Sequence, residues 1–358
     1  MRTRNAVFTC MMMILLALGF TVTTHGAIGN LVVQGGGNEL FHVRAGEPTS
    51  SNGVAHTVIE TFNGGYLAAG SLSVDSSINE ESPQVDVWVV KTDKNGIEEW
   101  NRTYGGTEAD VAESVIETAD GGFLLAGYTE SLGAGDRDMW LVKTDSSGSE
   151  EWDRTYGETE IDGAESVIET ADGGFLLAGY TESLGAGDRD MWLVKTDSNG
   201  IVQWDRTYGG TEIDRAECVI ATGDGGFLLA GSTQGVYTTL LIGLVKTDKN
   251  GNTQWIKSFG RSGGYHRAFS VIETSDNGYV LVGDADSLGS GSGDIWLIKT
   301  NSNGNVQWNQ TFGVGRFDSA ESVIETADGG FLLAGYTQIT GASYMEGWVN
   351  TEGMVDQN

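Results

Sequence analysis

Apolar positions along this chain come in short runs, each ended by a polar, glycine-bearing break, and the order of runs and breaks recurs. One unit shows the pattern. Glu113 to Thr118 is rich in β-branched residues and predicts a strand. Ala119-Asp-Gly-Gly122 breaks it as a hairpin turn, because Asp-Gly supplies the positive φ that tight hairpins need. Phe123 to Thr129 is nearly all apolar, as expected of a strand covered on both faces. After the loop 130–137 comes a third strand, Asp138 to Thr144, then a second turn, Asp145-Ser-Ser-Gly148. Glu150 to Tyr156 is the fourth strand, closed by Gly157. Four strands on short turns predict one antiparallel sheet.

The Asp-Gly-Gly turn sits at Asp120, Asp172, Asp224 and Asp328, with variants at Asn63 and Asp276, at spacings of 57, 52, 52, 52 and 52 residues. A period near 50 marks a propeller, solenoid or array. Six copies of a four-stranded unit predict an all-β, six-bladed propeller. The ten tryptophans keep two phases of the repeat: Trp88, Trp140, Trp192, Trp296 and Trp348 in the third strand, Trp100, Trp152, Trp204, Trp255 and Trp308 in the fourth. The second set precedes Tyr104, Tyr156, Tyr208, Phe259 and Phe312 by four residues, hence on one face of a strand. These rings are expected to fill the wedges between blades, a structural role. The last repeat stops after its third strand, and Glu39 to Gly46 stands where a fourth strand should. That segment is expected to complete the sixth blade and close the ring, which removes exposed sheet edges. Repeats are placed near 52–106, 107–158, 159–210, 211–261, 262–314 and 315–358, within one propeller domain over 38–358.

The repeats are unequal. Residues 113–146 and 165–198 are identical. Repeat four puts Gly243 in the third-strand tryptophan slot, and repeat one has a longer loop, Ser71 to Val85. Loops that differ on a repetitive scaffold are where selectivity can reside.

The chain has 54 Gly and 2 Pro, and a net charge of −30 that is spread through every repeat. Such a chain repels nucleic acid and anionic membrane surfaces. Arg2 and Arg4 precede an apolar run from Ala6 to Phe20, then small residues to Gly26 and Ala27. This reads as a secretory leader over 1–27, followed by a short linker over 28–37. The run is short for a full membrane span, so membrane association is expected only through an uncleaved N-terminus. The mature chain would be secreted or held at the cell surface, and a monomer is expected. Cys218 would be its one cysteine, with no intrachain disulfide; it takes the slot of Ser114, Ser166, Ser270 and Ser322 and reads as packing.

Carboxylates are the only plentiful reactive groups. Asp110, Asp162, Asp214 and Asp318 recur before the first strand, and Glu113, Glu165, Glu217 and Glu321 follow three residues later. With the first strand innermost, all eight approach one mouth of a central channel. They are the candidate ligands for Ca²⁺ or another cation, since hard cations take oxygen ligands. Blade five breaks the pattern with His266 and Phe269, and blade one with Gly53 and His56. The Gly133–Asp138 loop is acidic and Gly-rich, with Asp-Arg pairing as its simpler reading. No catalytic residue and no cofactor other than Ca²⁺ is expected.

The segment Lys195-Thr-Asp-Ser-Asn-Gly-Ile-Val-Gln-Trp204 resembles the tryptophan-docking repeat of quinoprotein-type propellers and recurs at Lys91–Trp100, Lys143–Trp152, Lys246–Trp255 and Lys299–Trp308. The whole unit looks like the repeats of secreted or surface-displayed archaeal and bacterial propellers. The resemblance implies a fold more than an activity. A quinone cofactor is not carried over. The function expected is a non-catalytic binding or scaffolding module with an unknown protein or glycan ligand. The alternatives are a carbohydrate-active enzyme or lectin, and a calcium-stabilised structural module.

Overall fold

The computed structural model describes residues 21–25, 30–34, 40–44, 51–74, 84–235, 239–261, 263–286, 293–313, 317–338 and 345–350. Among them the structure is all β. Five sheets have four antiparallel strands and two have three, each sheet following chain order without a crossover. In blade two the strands are Asp110–Glu117, Phe123–Thr129, Asp138–Thr144 and Glu150–Tyr156. The first strands of successive blades, from Ser51–Glu60 through Phe317–Glu325, lie beside one another, which makes them the innermost. Second and third strands are buried almost throughout, whereas fourth strands are mostly exposed or half-buried. This is the radial repetition of a β-propeller.

The motif residues account for the hairpins. Gly121 has φ +82, and a Cβ on Gly122 would sit 2.1 Å from the Thr144 carbonyl and 2.5 Å from Lys143 Nζ. The first glycine of the turn supplies a conformation, and the second supplies space for the Lys143 ammonium. That ammonium is buried and donates to the Thr144 carbonyl (3.0 Å), to Asp120 and to Glu151 (3.0 Å). Lys91, Lys246 and Lys299 likewise bond the carbonyl of the following threonine, as does Lys195. The lysine thereby ties the first hairpin to the third strand.

Tryptophans pack where expected. Trp192 of blade three joins Ile116, Leu124, Met139 and Leu141 of blade two in one core cluster. Trp100 lies 5.8 Å from Phe123 of the next blade, and Trp152, Trp204, Trp255 and Trp308 make the same contact with Phe175, Phe227, Tyr279 and Phe331. Trp348 belongs to the last strand, outside the residues whose side chains are described. Where Gly243 replaces a tryptophan, Met191 of blade three fills the space, its Cε 2.9 Å from where a Cβ would stand.

Two expectations need correction. Leu40–Arg44 is a strand, but it pairs with Asn30–Gln34, which pairs with Thr21–His25, in a separate sheet. The sixth blade has three strands, Phe317–Glu325, Phe331–Gln338 and Met345–Asn350, so the expected closing strand is not in place. Cys218 is fully buried in the core shared by blades four and five, as a packing residue should be. It is also disulfide-bonded. The expected absence of a disulfide is thereby corrected; the only other cysteine, Cys10, lies outside the described residues.

Candidate functional site at the propeller axis

Each first strand carries a β-bulge at the same place. The register slips between Ala112 and Ser114, Ala164 and Ser166, Ala216 and Cys218, Ala268 and Ser270, and Ala320 and Ser322, and between Ala55 and Thr57 in blade one. The extra residues are His56, Glu113, Glu165, Glu217, Phe269 and Glu321. A bulge bends its strand and re-aims one side chain. The glycine of the second strand makes room for it: a Cβ on Gly127 would stand 2.0 Å from the Val111 carbonyl. Gly70, Gly179, Gly231, Gly283 and Gly335 are equally confined.

The bulged residues share one electrostatic space. Burial pushes Glu165 up to about 8, with the charges of Glu217 and Glu113 adding to the effect and Arg215 opposing it. Burial also raises Glu217, against the pull of Arg215 and Arg267. Glu321 is raised by burial and, less strongly, by the charges of Asp284 and Glu217.

Arginine and histidine divide this ring into pairs. Arg215 Nη2 lies 2.7 Å from Glu165, and its Nε lies 3.3 Å from Glu217, so one guanidinium bridges two blades. Arg215 also lies over the Tyr180 ring at 5.0 Å. His56 Nδ1 is 2.7 Å from Glu113. Burial works against a charged His56, but the hydrogen bond and charge of Glu113 outweigh it and raise the pKa. Arg267 pairs with Asp284 at 2.9 Å and lies 4.8 Å over the Phe269 ring. Glu321 accepts from Ser319 Oγ at 3.1 Å, and no ion pair to it is formed among the described residues. The result is an amphoteric site with carboxylates, two guanidinium groups and aromatic faces. It can hold polar ligands and can keep one carboxyl protonated near neutral pH.

The eight candidate acids therefore separate. Glu113, Glu165, Glu217 and Glu321 converge on the axis. Asp110, Asp162, Asp214 and Asp318 do not; they are buried between blades. Asp110 Oδ2 accepts from Gly106 N (2.8 Å) and Ser131 Oγ (2.7 Å), and Asp162 Oδ2 from Glu158 N (3.2 Å) and Ser183 Oγ (2.6 Å). Among the described residues no three His, Cys, Asp or Glu side chains are grouped to hold a metal ion. In the Gly133–Asp138 loop, Arg137 pairs with Glu130 rather than with a neighbouring aspartate, and Asp138 accepts from Ala134 N and Gly135 N.

Sequence reasoning missed Arg215, Arg267, Tyr180 and Asp284 as partners of the glutamates. The signal was a strand-interior glycine in every repeat, which marks a bulge or a close backbone approach.

No protein-family model matches the chain, and no curated protein matches it. Solved structures do. The S511A mutant of a puromycin hydrolase complexed with PGG is similar with a TM-score of 0.53 at 10% identity, over 93% of this chain and 50% of that one. The K499G mutant of NanB sialidase from Streptococcus pneumoniae is similar with a TM-score of 0.50 at 8% identity, over 82% of this chain and 67% of that one. At such identity the likeness is one of fold. It agrees with the propeller architecture and says nothing of chemistry.

Proposed function

We propose that this protein is an exported, non-catalytic binding module whose ligand seat is the axial ring. The observation that carries the reading is the repeated bulge. Six blades aim one residue each at a common space, and the six are not the same residue. A ring that served only to hold the blades together would need no Arg215 bridge, no His56–Glu113 pair and no Phe269. The ligand class is a polar protein segment or glycan that can meet carboxylate, guanidinium and aromatic groups together. The test is retention of immobilised glycans and peptides by the chain starting at residue 28. Arg215→Met with Glu165→Gln should abolish retention while the fold survives; unchanged retention would move the seat elsewhere.

One observation favours a second reading, a carbohydrate-active enzyme. Burial pushes Glu165 up to about 8, while Glu217 meets the same guanidinium at its Nε. Glycoside hydrolysis uses two carboxyl groups, one of them protonated. New reducing ends released from a polysaccharide panel, and lost in Glu165→Gln, would establish it over the first reading.

Export bears on ring closure. Cleavage near Gly26 or Ala27 removes Thr21–His25 and leaves Asn30–Gln34 and Leu40–Arg44 as a lone hairpin, which is marginal in water. Leu40–Arg44 is then available to the open edge of Met345–Asn350, which supports closure of the mature ring.

A further inference from the structure

The sequence holds two Asn-x-Ser/Thr sequons, Asn101-Arg-Thr103 and Asn309-Gln-Thr311. Both fall at one slot of the repeat, the residue after the fourth-strand tryptophan. Blades two and three place Asp153 and Asp205 there, and blade four Ile256. The slot's work in the fold needs one oxygen. Asp153 Oδ2 accepts from Trp140 Nε1 at 3.0 Å, Asp205 Oδ2 from Trp192 Nε1 at 3.2 Å, and Asn309 Oδ1 from Trp296 Nε1 at 3.1 Å. Asparagine therefore does what aspartate does, with its Nδ2 left over from that bond. Asn101 Nδ2 donates to Glu98, and a singly substituted amide keeps one N–H for such a bond. Asn101, Thr103, Asn309 and Thr311 are all exposed, whereas Asp153 and Asp205 are half-buried.

Each fourth strand is the edge of its sheet, where unpaired backbone groups invite pairing with another chain. Charge blunts four of these edges, down to the single Lys257 of Thr253–Phe259. Val306–Phe312 of blade five has no charged residue, no proline and no glycine. It exposes Val306 at 45% and Trp308 at 38%. A seven-residue segment of that composition on an edge is an aggregation hazard. One of the two sequons lies in it.

We propose that Asn101 and Asn309 each carry an N-linked glycan. The proposal rests on the export proposed above, because the sugar donor, a polyprenol-linked oligosaccharide phosphate, is met during translocation. The Nδ2–C1 bond forms as the C1–O bond to phosphate breaks. The polyprenol-linked phosphate leaves with the electron pair, and the amide gives up one Nδ2 proton. Asn309 Oδ1 remains an acceptor, so the Trp296 bond survives the modification. An asparagine-linked sugar is bulky and solubilising. On Asn309 it shields the one uncharged edge; on Asn101 it adds to an edge already charged.

The test takes the full chain from its native cells and maps its peptides by mass. Peptides spanning Asn101 and Asn309 should carry sugar mass on the asparagine. Either peptide found only at its sequence mass overturns its site. Protease added to intact cells reports export separately. An unmodified chain that the protease cuts was exported, so the glycans alone are overturned; an unmodified chain that is protected overturns export as well. Asn101→Gln and Asn309→Gln should each lose the mass of one glycan. Thr311→Val should lose the sugar of Asn309 with that asparagine still in place, and sugar retained there would overturn its assignment to the sequon. Asn309→Gln should aggregate faster on heating than Asn101→Gln; equal aggregation overturns the shielding of blade five. If the variants do not fold, the peptide map of the unaltered chain decides.

Discussion

Removing one hydroxyl between blades gives a measurable loss, and adding one gives a gain. Tyr156 donates its hydroxyl to the Gly200 carbonyl of the next blade at 2.8 Å, as Tyr104 does to Gly148 (2.6 Å) and Tyr208 to Gly251 (2.7 Å). Gly200 is pinned from the other side, since a Cβ on it would meet the Trp152 ring at 2.9 Å and its φ is +75. The contact is therefore a rivet of tryptophan, glycine and tyrosine. A net hydrogen bond contributes about 1 kcal/mol, and a buried carbonyl left without its donor adds about 1 kcal/mol more. Tyr156→Phe should thus cost about 1–2 kcal/mol, or about 2–4 °C in melting temperature for a chain of this size. Blade four carries the reverse experiment. Phe259 occupies the tyrosine slot, and a Cβ on Gly304 would meet the Trp255 ring at 2.8 Å in the same way. Phe259→Tyr should add the missing bond and raise stability by about 1 kcal/mol. Urea denaturation of both variants measures the two changes. A Tyr156→Phe chain as stable as its parent, together with no gain from Phe259→Tyr, would refute the rivet.

Three further outcomes follow from the geometry. Glu165 has a folded pKa above its unfolded value, so its contribution is complete below the ordinary carboxylate range and is lost as pH rises to about 8; thermal melts between pH 5 and 9 should show that decline, and Glu165→Gln should flatten it. Gly127→Ala places a Cβ 2.0 Å from a carbonyl and should prevent soluble folding, whereas Gly210→Ala, with nothing within 4 Å, should stay within about 0.5 kcal/mol of the parent in denaturant titration. Starting the chain at residue 46 instead of 28 removes Leu40–Arg44 and should lower the melting temperature if that strand closes the mature ring; equal melting of the two chains would exclude closure by this segment.

Strand bounds within a blade were legible because they rest on local chemistry. Asp138–Thr144 and Glu150–Tyr156 stand where turn residues and alternation place them. The first strand was read three residues short, since Asp110–Glu117 contains a bulge that interrupts its alternation. That interruption decides which acids face the axis. A regular strand would have sent Asp110 and Glu113 to opposite faces, and the sequence reading instead grouped them in one ring. Lys143 was invisible for another reason: a buried ammonium depends on carbonyl and carboxylate partners from three different segments. Ring closure was argued from the need to cover an edge, which gives a motive for pairing but not its partner. Leu40–Arg44 found one in Asn30–Gln34.

The duplicated stretch separates what a blade's own sequence determines from what its neighbours determine. Residues 113–146 and 165–198 are identical, and they build the same strands, the same bulge and the same buried lysine. Yet Glu113 pairs with a histidine and Glu165 with an arginine. The difference comes wholly from blades one and four, which supply His56 and Arg215. A bulged glutamate thus takes its chemistry from the first strand of another blade, and a change in one blade alters the acid of an unchanged one. The departures that matter here, His56, Arg215, Arg267 and Phe269, all fall on first strands, where successive blades meet. Drift in a tolerant scaffold would be easiest on the fourth strands, which face solvent and constrain nothing across the axis. Departures at the innermost positions instead make a repetitive frame asymmetric, which fits the proposal that it recognises one ligand in one orientation.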